Sequence, residues 1–146
     1  MSAPSRPAEI LLIEDNPGDV ELIHEALQFG KVLNRISVAT DGEAAMAFLN
    51  RAAGFEDAPR PDLILLDLNL PGKSGHEVLV EIKGDSGLRR IPVMVLTSSG
   101  DVEDLQRVYG LHANCYVRKP ADLGEFVELV RSIEQFWFRV VTLPSR

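Results

Sequence analysis

The stretch from Asp62 to Gly72, Asp-Leu-Ile-Leu-Leu-Asp-Leu-Asn-Leu-Pro-Gly, constrains the fold more than any other part of the chain. Four consecutive aliphatic residues, Leu63 to Leu66, end abruptly in the carboxylate of Asp67 and then in Pro71-Gly72. An apolar run this short, bounded by turn residues, suits a strand buried on both faces of a parallel sheet. Asp67 then stands at the carboxyl end of that strand, where open α/β sheets place their ligands. On this stretch alone, an Asp that caps the next helix or opens a turn is an equal reading.

The same pattern recurs along the chain. Ile10 to Ile13 is a second short aliphatic run, and it also ends in acid, Glu14-Asp15. After Asn16-Pro17-Gly18-Asp19 the spacing of Val20, Ile23, Ala26 and Leu27 predicts a helix that stops by Gly30. Arg35 to Ala39 alternates apolar and polar residues, as an exposed edge strand does. Asp41-Gly42 turns into a helix bearing Ala44, Ala45, Phe48 and Leu49, and a long loop from Ala53 to Pro61 follows. Beyond Gly75 a helix carries Val78, Leu79 and Ile82. Ile91 to Leu96 is the next buried strand, its proline tolerable only at the beginning. A shorter helix is expected from about Asp101 to Leu111, then a strand at Cys115-Tyr116-Val117, closed by Arg118-Lys119-Pro120. From Asp122 a long helix carries Leu123, Phe126, Val127, Val130, Ile133, Trp137 and Val140.

Five βα units imply a doubly wound parallel five-stranded sheet with helices on both faces, joined by right-handed crossovers. With the second strand at an edge and the first, third and fourth central, the order 2-1-3-4-5 fits, and its switch point lies between strands one and three. The 146 residues suffice for one domain. Residues 1–8, with two prolines and no periodicity, read as a loose N-terminal arm, and 9–133 as the domain. One cysteine, Cys115, leaves no internal disulfide and fits a reducing compartment. A net charge of −7 disfavours a nucleic-acid surface. No apolar run approaches the roughly 20 residues of a membrane span, and no secretory core opens the chain, so the expected location is the cytoplasm.

In a parallel sheet the strand ends converge on one rim, bringing together Glu14-Asp15, Asp67, Thr97 and Lys119. Carboxylates in so small a space raise one another's pKa unless a cation neutralises them. A hard divalent ion with oxygen ligands is the natural solution. Mg²⁺ fits because it uses one or two carboxylates and keeps waters for an incoming phosphate, and the backbone carbonyl of Asn69 offers a further oxygen. Asp67 is then a candidate nucleophile towards phosphorus. Such a reaction asks for positioning and charge neutralisation, which Lys119 and the Thr97 hydroxyl can supply. Singly, each has a plainer reading: a solvated lysine, a helix cap, an acidic turn. Four strand ends with complementary chemistry argue jointly against those readings.

The set Glu14-Asp15, Asp67, Thr97-Ser98 and Lys119-Pro120, with Asp-Leu-Asn-Leu-Pro-Gly between, resembles the receiver domain of two-component response regulators, from roughly Ile10 to Ile133. The resemblance implies a flavodoxin-like fold and phosphorylation of Asp67 by a histidine kinase. It implies Mg²⁺ held by Asp15, Asp67 and the Asn69 carbonyl, with Glu14 contributing through a water or weakly. The family more often has Asp-Asp where this chain has Glu14-Asp15. A cis Lys119-Pro120 bond is expected with it. So is a switch in which phosphorylation draws Thr97 inward and Tyr116 fills the space vacated, changing the face made by the fourth helix, fifth strand and fifth helix. For Tyr116 a half-buried strand aromatic is the plainer alternative.

Leu88-Arg89-Arg90-Ile91-Pro92, the run from Asn114 to Pro120 and the Phe136-Trp137 ending also look like the small stand-alone regulators that partner bacterial and cyanobacterial phytochromes. That likeness makes a phytochrome-class sensor histidine kinase the expected partner. A helix from Asp122 to Val141 would be about 30 Å long and would project beyond the sheet. Residues 134–146, with Phe136, Trp137, Val140 and Val141, therefore read as an interface, with a two-fold homodimer as the expected assembly and a tail folded onto its own domain as the alternative. Three other functions fit less well. A phosphatase of the haloacid dehalogenase type wants an Asp where Asn69 stands. A flavin carrier wants a phosphate-cradling loop where Glu14-Asp15-Asn16-Pro17 stands. An unphosphorylated scaffold has no use for an intact Asp67, Thr97 and Lys119. The protein reads as a signalling switch that promotes only its own phosphotransfer and dephosphorylation.

Overall fold

The computed structural model describes residues 7–30, 33–97 and 115–134; of Thr97, Cys115 and Tyr116 it describes the backbone alone. Five parallel strands, β1 (Ala8–Ile13), β2 (Asn34–Ala39), β3 (Leu63–Asp67), β4 (Val93–Thr97) and β5 (Cys115–Arg118), form one sheet in the order β2-β1-β3-β4-β5. This is the expected flavodoxin-like order. Burial follows position: every residue of β3 is buried, whereas β2, at the edge, is buried only at Ala39.

Alternate residues of a strand point to opposite faces, so each central strand feeds two cores. Leu11, Ile13, Ile64, Leu66, Val93 and Val95 pack beneath α2 (Gly42–Leu49) and α3 (Gly75–Gly84). Ile10, Leu12, Leu63, Leu65, Met94 and Leu96 pack beneath α1 (Pro17–Gln28) and the C-terminal helix (Leu123–Ile133), which contributes Phe126, Val130 and Ile133. Each helix start carries its own signal. Asn16, Asp41 and Asp122 accept from the backbone N–H three residues on, and Ser74 with Glu77 closes a reciprocal capping box. None of the described helices is long and apolar enough to cross a membrane.

Two boundaries and one peptide bond differ from expectation. Ala8 belongs to the sheet, not to the arm: it is buried, pairs with Asn34 and donates its N–H to Leu33 O at 2.8 Å. β4 starts at Val93 and not at Ile91, since Pro92 has no N–H for the ladder, although its carbonyl accepts from Ile64 N–H at 2.9 Å. Lys119-Pro120 is trans, no cis bond occurring among the described residues; trans is the lower-energy isomer before proline. The expected helix at 101–111 and the tail from 135 onward lie outside the described residues.

Candidate functional site

The site lies at the carboxyl ends of β1 and β3, where the sheet order reverses and the connections leave to opposite faces. Glu14 continues β1 by donating its N–H to Ala39 O at 3.0 Å, and its side chain is fully buried. By strand alternation it shares the face of Ile10 and Leu12, and Asp67 shares that of Leu63 and Leu65. Both carboxylates therefore lean to the side of α1. Asp15 is exposed at the mouth. Asn16 then caps α1, accepting from Asp19 N–H at 3.0 Å, and Pro17 opens the helix.

Asp67 is 2% exposed. Its Oδ1 accepts the Asn69 N–H at 3.0 Å, a local Asx turn that orients the carboxylate. The chain turns sharply at Gly72, whose φ of +66° favours glycine. Gly75 then brings α3 back against the backbone of Asp67 and Leu68, donating its N–H to Leu68 O at 3.2 Å.

Lys119, one residue beyond β5, crosses the rim to these carboxylates. Its Nζ lies 2.8 Å from Glu14 Oε1, 3.0 Å from Asp19 Oδ2 and 3.3 Å from Asp67 Oδ2. The contacts to Asp19 and Asp67 are hydrogen bonds, while Glu14 Oε1 is off-angle and forms an ion pair alone. Burial pushes the Glu14 carboxyl up to about 7, with Asp67 adding to the rise and Lys119 opposing it. Burial pulls the Lys119 ammonium down, but the paired Glu14 carboxylate, the hydrogen bond to Asp19 and the charge of Asp67 outweigh it, so the net shift is upward.

These groups line an open cleft of about 490 Å³, with Asp15 and Asn69 at its mouth. One carboxylate oxygen from each of Glu14, Asp15 and Asp67 falls within 4.8 Å of the others. Three hard oxygens at this spacing, one of them a buried Glu14 oxygen that accepts no hydrogen bond, suit a divalent cation. With a mobile cation and one fixed cation beside a shielded carboxylate, the cleft can stabilise a phosphoryl group on Asp67.

Of the residues singled out from sequence, Glu14, Asp15, Asp67, Asn69 and Lys119 come together here. Thr97 ends β4 in register with Arg118, and Tyr116 pairs with Val95 inside β5. Their side chains lie outside the structure's description, as do Phe136, Trp137, Val140 and Val141. Asp19 is the participant that sequence reasoning missed. Its position in the first turn of α1 reads equally well as a favourable dipole contact.

The model for "Response regulator receiver domain" matches residues 10–131. The response regulator Rcp1 of a Synechocystis species is 47% identical over 146 residues, covering 99% of each chain. The crystal structure of the phosphorylated cyanobacterial phytochrome response regulator RcpA aligns with a TM-score of 0.87 at 48% identity, covering 96% of this chain and 100% of that one. The Mn²⁺-bound form of Rcp1 aligns at 0.85 and 47% identity, covering 95% and 100%. Fold, strand-end constellation and relatives agree: the chain belongs to the response regulator receiver family of two-component signalling.

Proposed function

We propose that this protein relays a signal by accepting a phosphoryl group on Asp67 from a sensor histidine kinase of the phytochrome class, in the stand-alone manner of regulators like Rcp1. The observation that carries the reading is Lys119 Nζ 3.3 Å from Asp67 Oδ2, beside the acidic trio. The near-complete alignment with Rcp1 supports the stand-alone mode, and the phytochrome regulators among its relatives support the partner.

An Asp67 oxygen bonds to phosphorus as the phosphorus–nitrogen bond of the donor histidine breaks. The imidazole leaves with that electron pair. Lys119 faces the charge that gathers on the phosphoryl oxygens, and the buried floor around Asp67 limits access of water. Glu14, Asp15, Asp67 and the Asn69 carbonyl would hold Mg²⁺, which would supply further charge neutralisation there. Thr97 and Tyr116 carry the change to the face of the fourth helix, fifth strand and fifth helix. Residues 9–133 form the receiver, and 134–146, through Phe136, Trp137, Val140 and Val141, the contact for a homodimer. The phosphoryl group is lost again by hydrolysis at the same site, in the cytoplasm, with neither nucleic acid nor membrane as a partner.

Intact mass after incubation with Mg²⁺ and acetyl phosphate tests the reading. One phosphoryl adduct is expected on the wild type, absent from Asp67→Asn and abolished by chelation. An unlabelled wild type, or a labelled Asp67→Asn, would refute it.

A further inference from the structure

Asp19 makes a contact that the reading above leaves without a purpose. Its Oδ2 lies 3.0 Å from Lys119 Nζ, nearer than Asp67 Oδ2 at 3.3 Å, and Glu14 Oε1 stands at 2.8 Å. A lysine ammonium has three N–H donors, and three carboxylates surround this one. Asp19 and Asp67 take hydrogen bonds from it and Glu14 takes its charge, so an arriving phosphoryl oxygen must compete with all three for Lys119. Glu14 is fully buried, so parting it from Lys119 would strand a charge away from water. Asp67 is the group being modified. The Asp19 side chain is 24% exposed and can return to water. The cap at Asn16 ties the Asp19 N–H to the start of α1, so its backbone is not free to follow the lysine.

We propose that Asp19 is a positioning residue that holds Lys119 back from the phosphoryl position in the unphosphorylated protein and releases it as Asp67 is phosphorylated. The inference rests on Asp67 being the phosphoacceptor. With acetyl phosphate as donor, an Asp67 oxygen bonds to phosphorus, the phosphorus–oxygen bond to the acetyl group breaks, and acetate leaves with the electron pair. The site gains negative charge in that step. Asp19 opposes it twice, by occupying a Lys119 N–H and by placing a like charge beside the phosphoryl group.

The test is the initial rate of labelling by acetyl phosphate with Mg²⁺, read by intact mass, for wild type, Asp19→Asn and Asp19→Glu. A second readout is the NMR signal of the Lys119 ammonium in the unphosphorylated proteins, assigned by its loss in Lys119→Arg. Asp19→Asn, which removes the charge and keeps the shape, is expected to label about fivefold faster, the scale of one charged hydrogen bond at a partly exposed side chain. Asp19→Glu is expected to reverse most of that gain. The Lys119 signal is expected to move in Asp19→Asn, whereas damage to the helix start would slow the reaction and not speed it. Labelling of Asp19→Asn at or below the wild-type rate overturns the proposal, and so does an unchanged Lys119 signal. A wild type that takes no label refutes the phosphoacceptor reading instead, and the Lys119 signal still decides whether Asp19 holds the lysine.

Discussion

Two glycines in α3 predict opposite responses to the same substitution. A Cβ on Gly75 would stand 2.3 Å from Asp67 O, 2.6 Å from Leu68 Cα and 3.0 Å from the Asp67 carbonyl carbon. Ordinary contact begins at 3.4 Å, so Gly75→Ala must part α3 from the end of β3 by about 1 Å, with only backbone on the receiving side. Overpacking of this kind costs about 1–3 kcal/mol, and rigid neighbours place it near the upper end. With an m-value of about 1.5 kcal/mol per molar urea, the unfolding midpoint would fall by up to about 2 M. Gly84 closes the same helix with nothing within 4 Å and no left-handed φ. Gly84→Ala should therefore stabilise by about 0.4–1 kcal/mol through the unfolded chain. The clash at Gly75 falls on Asp67, the proposed phosphoacceptor. A misplacement of about 1 Å can cost about 10²-fold in rate, so labelling of Gly75→Ala should fall by tenfold to a hundredfold, to order of magnitude, while Gly84→Ala labels like wild type. Urea unfolding by circular dichroism and labelling by intact mass read both. Equal midpoints for Gly75→Ala and wild type, or glycine variants that shift in the same direction, would refute the close-approach argument.

The Glu14 proton links metal binding to pH. With its carboxyl at about 7 in the metal-free protein, binding of Mg²⁺ should release about half a proton at pH 7 and weaken about tenfold from pH 8 to pH 6; titration calorimetry in buffers of different ionisation heat measures both, and pH-flat binding would contradict it. The value is raised above the unfolded 4.5, so Glu14 favours the folded state at low pH and that contribution is lost as pH rises through about 7. Metal-free Glu14→Gln should lose this dependence in urea titrations at several pH values. Lys119→Met, which withdraws the cation from Asp67, should lower labelling about 10²-fold while calorimetry still detects Mg²⁺ binding. Phe126 is 1% exposed beneath the sheet, and Phe126→Ala should cost about 3–5 kcal/mol in urea unfolding.

Much of this molecule is written in local pattern. Ile10 to Ile13 and Leu63 to Leu66 could be assigned to buried parallel strands because both faces of such a strand are covered, which leaves no polar alternation. The half-polar β2 then had to be an edge, and the order of the sheet followed. Glu14, Asp15, Asp67 and Lys119 were legible for the same reason: each sits where an apolar run stops, and parallel strands stop on one rim. The start at Ala8 was not, since one alanine beside prolines carries no periodicity.

What the sequence by itself determined was the set of strands, their ends and the acidic and basic residues those ends carry, because these depend on neighbours along the chain. Only the tertiary structure decided which of these groups touch. Asp19 and Lys119 are 100 positions apart, yet share a hydrogen bond; Gly75 is glycine because the β3 backbone lies against it. The proton on Glu14 was equally out of reach. Its place depends on how completely the folded protein removes that carboxylate from water, and burial is a property of the packed sheet and helices, not of the residue or its neighbours in sequence.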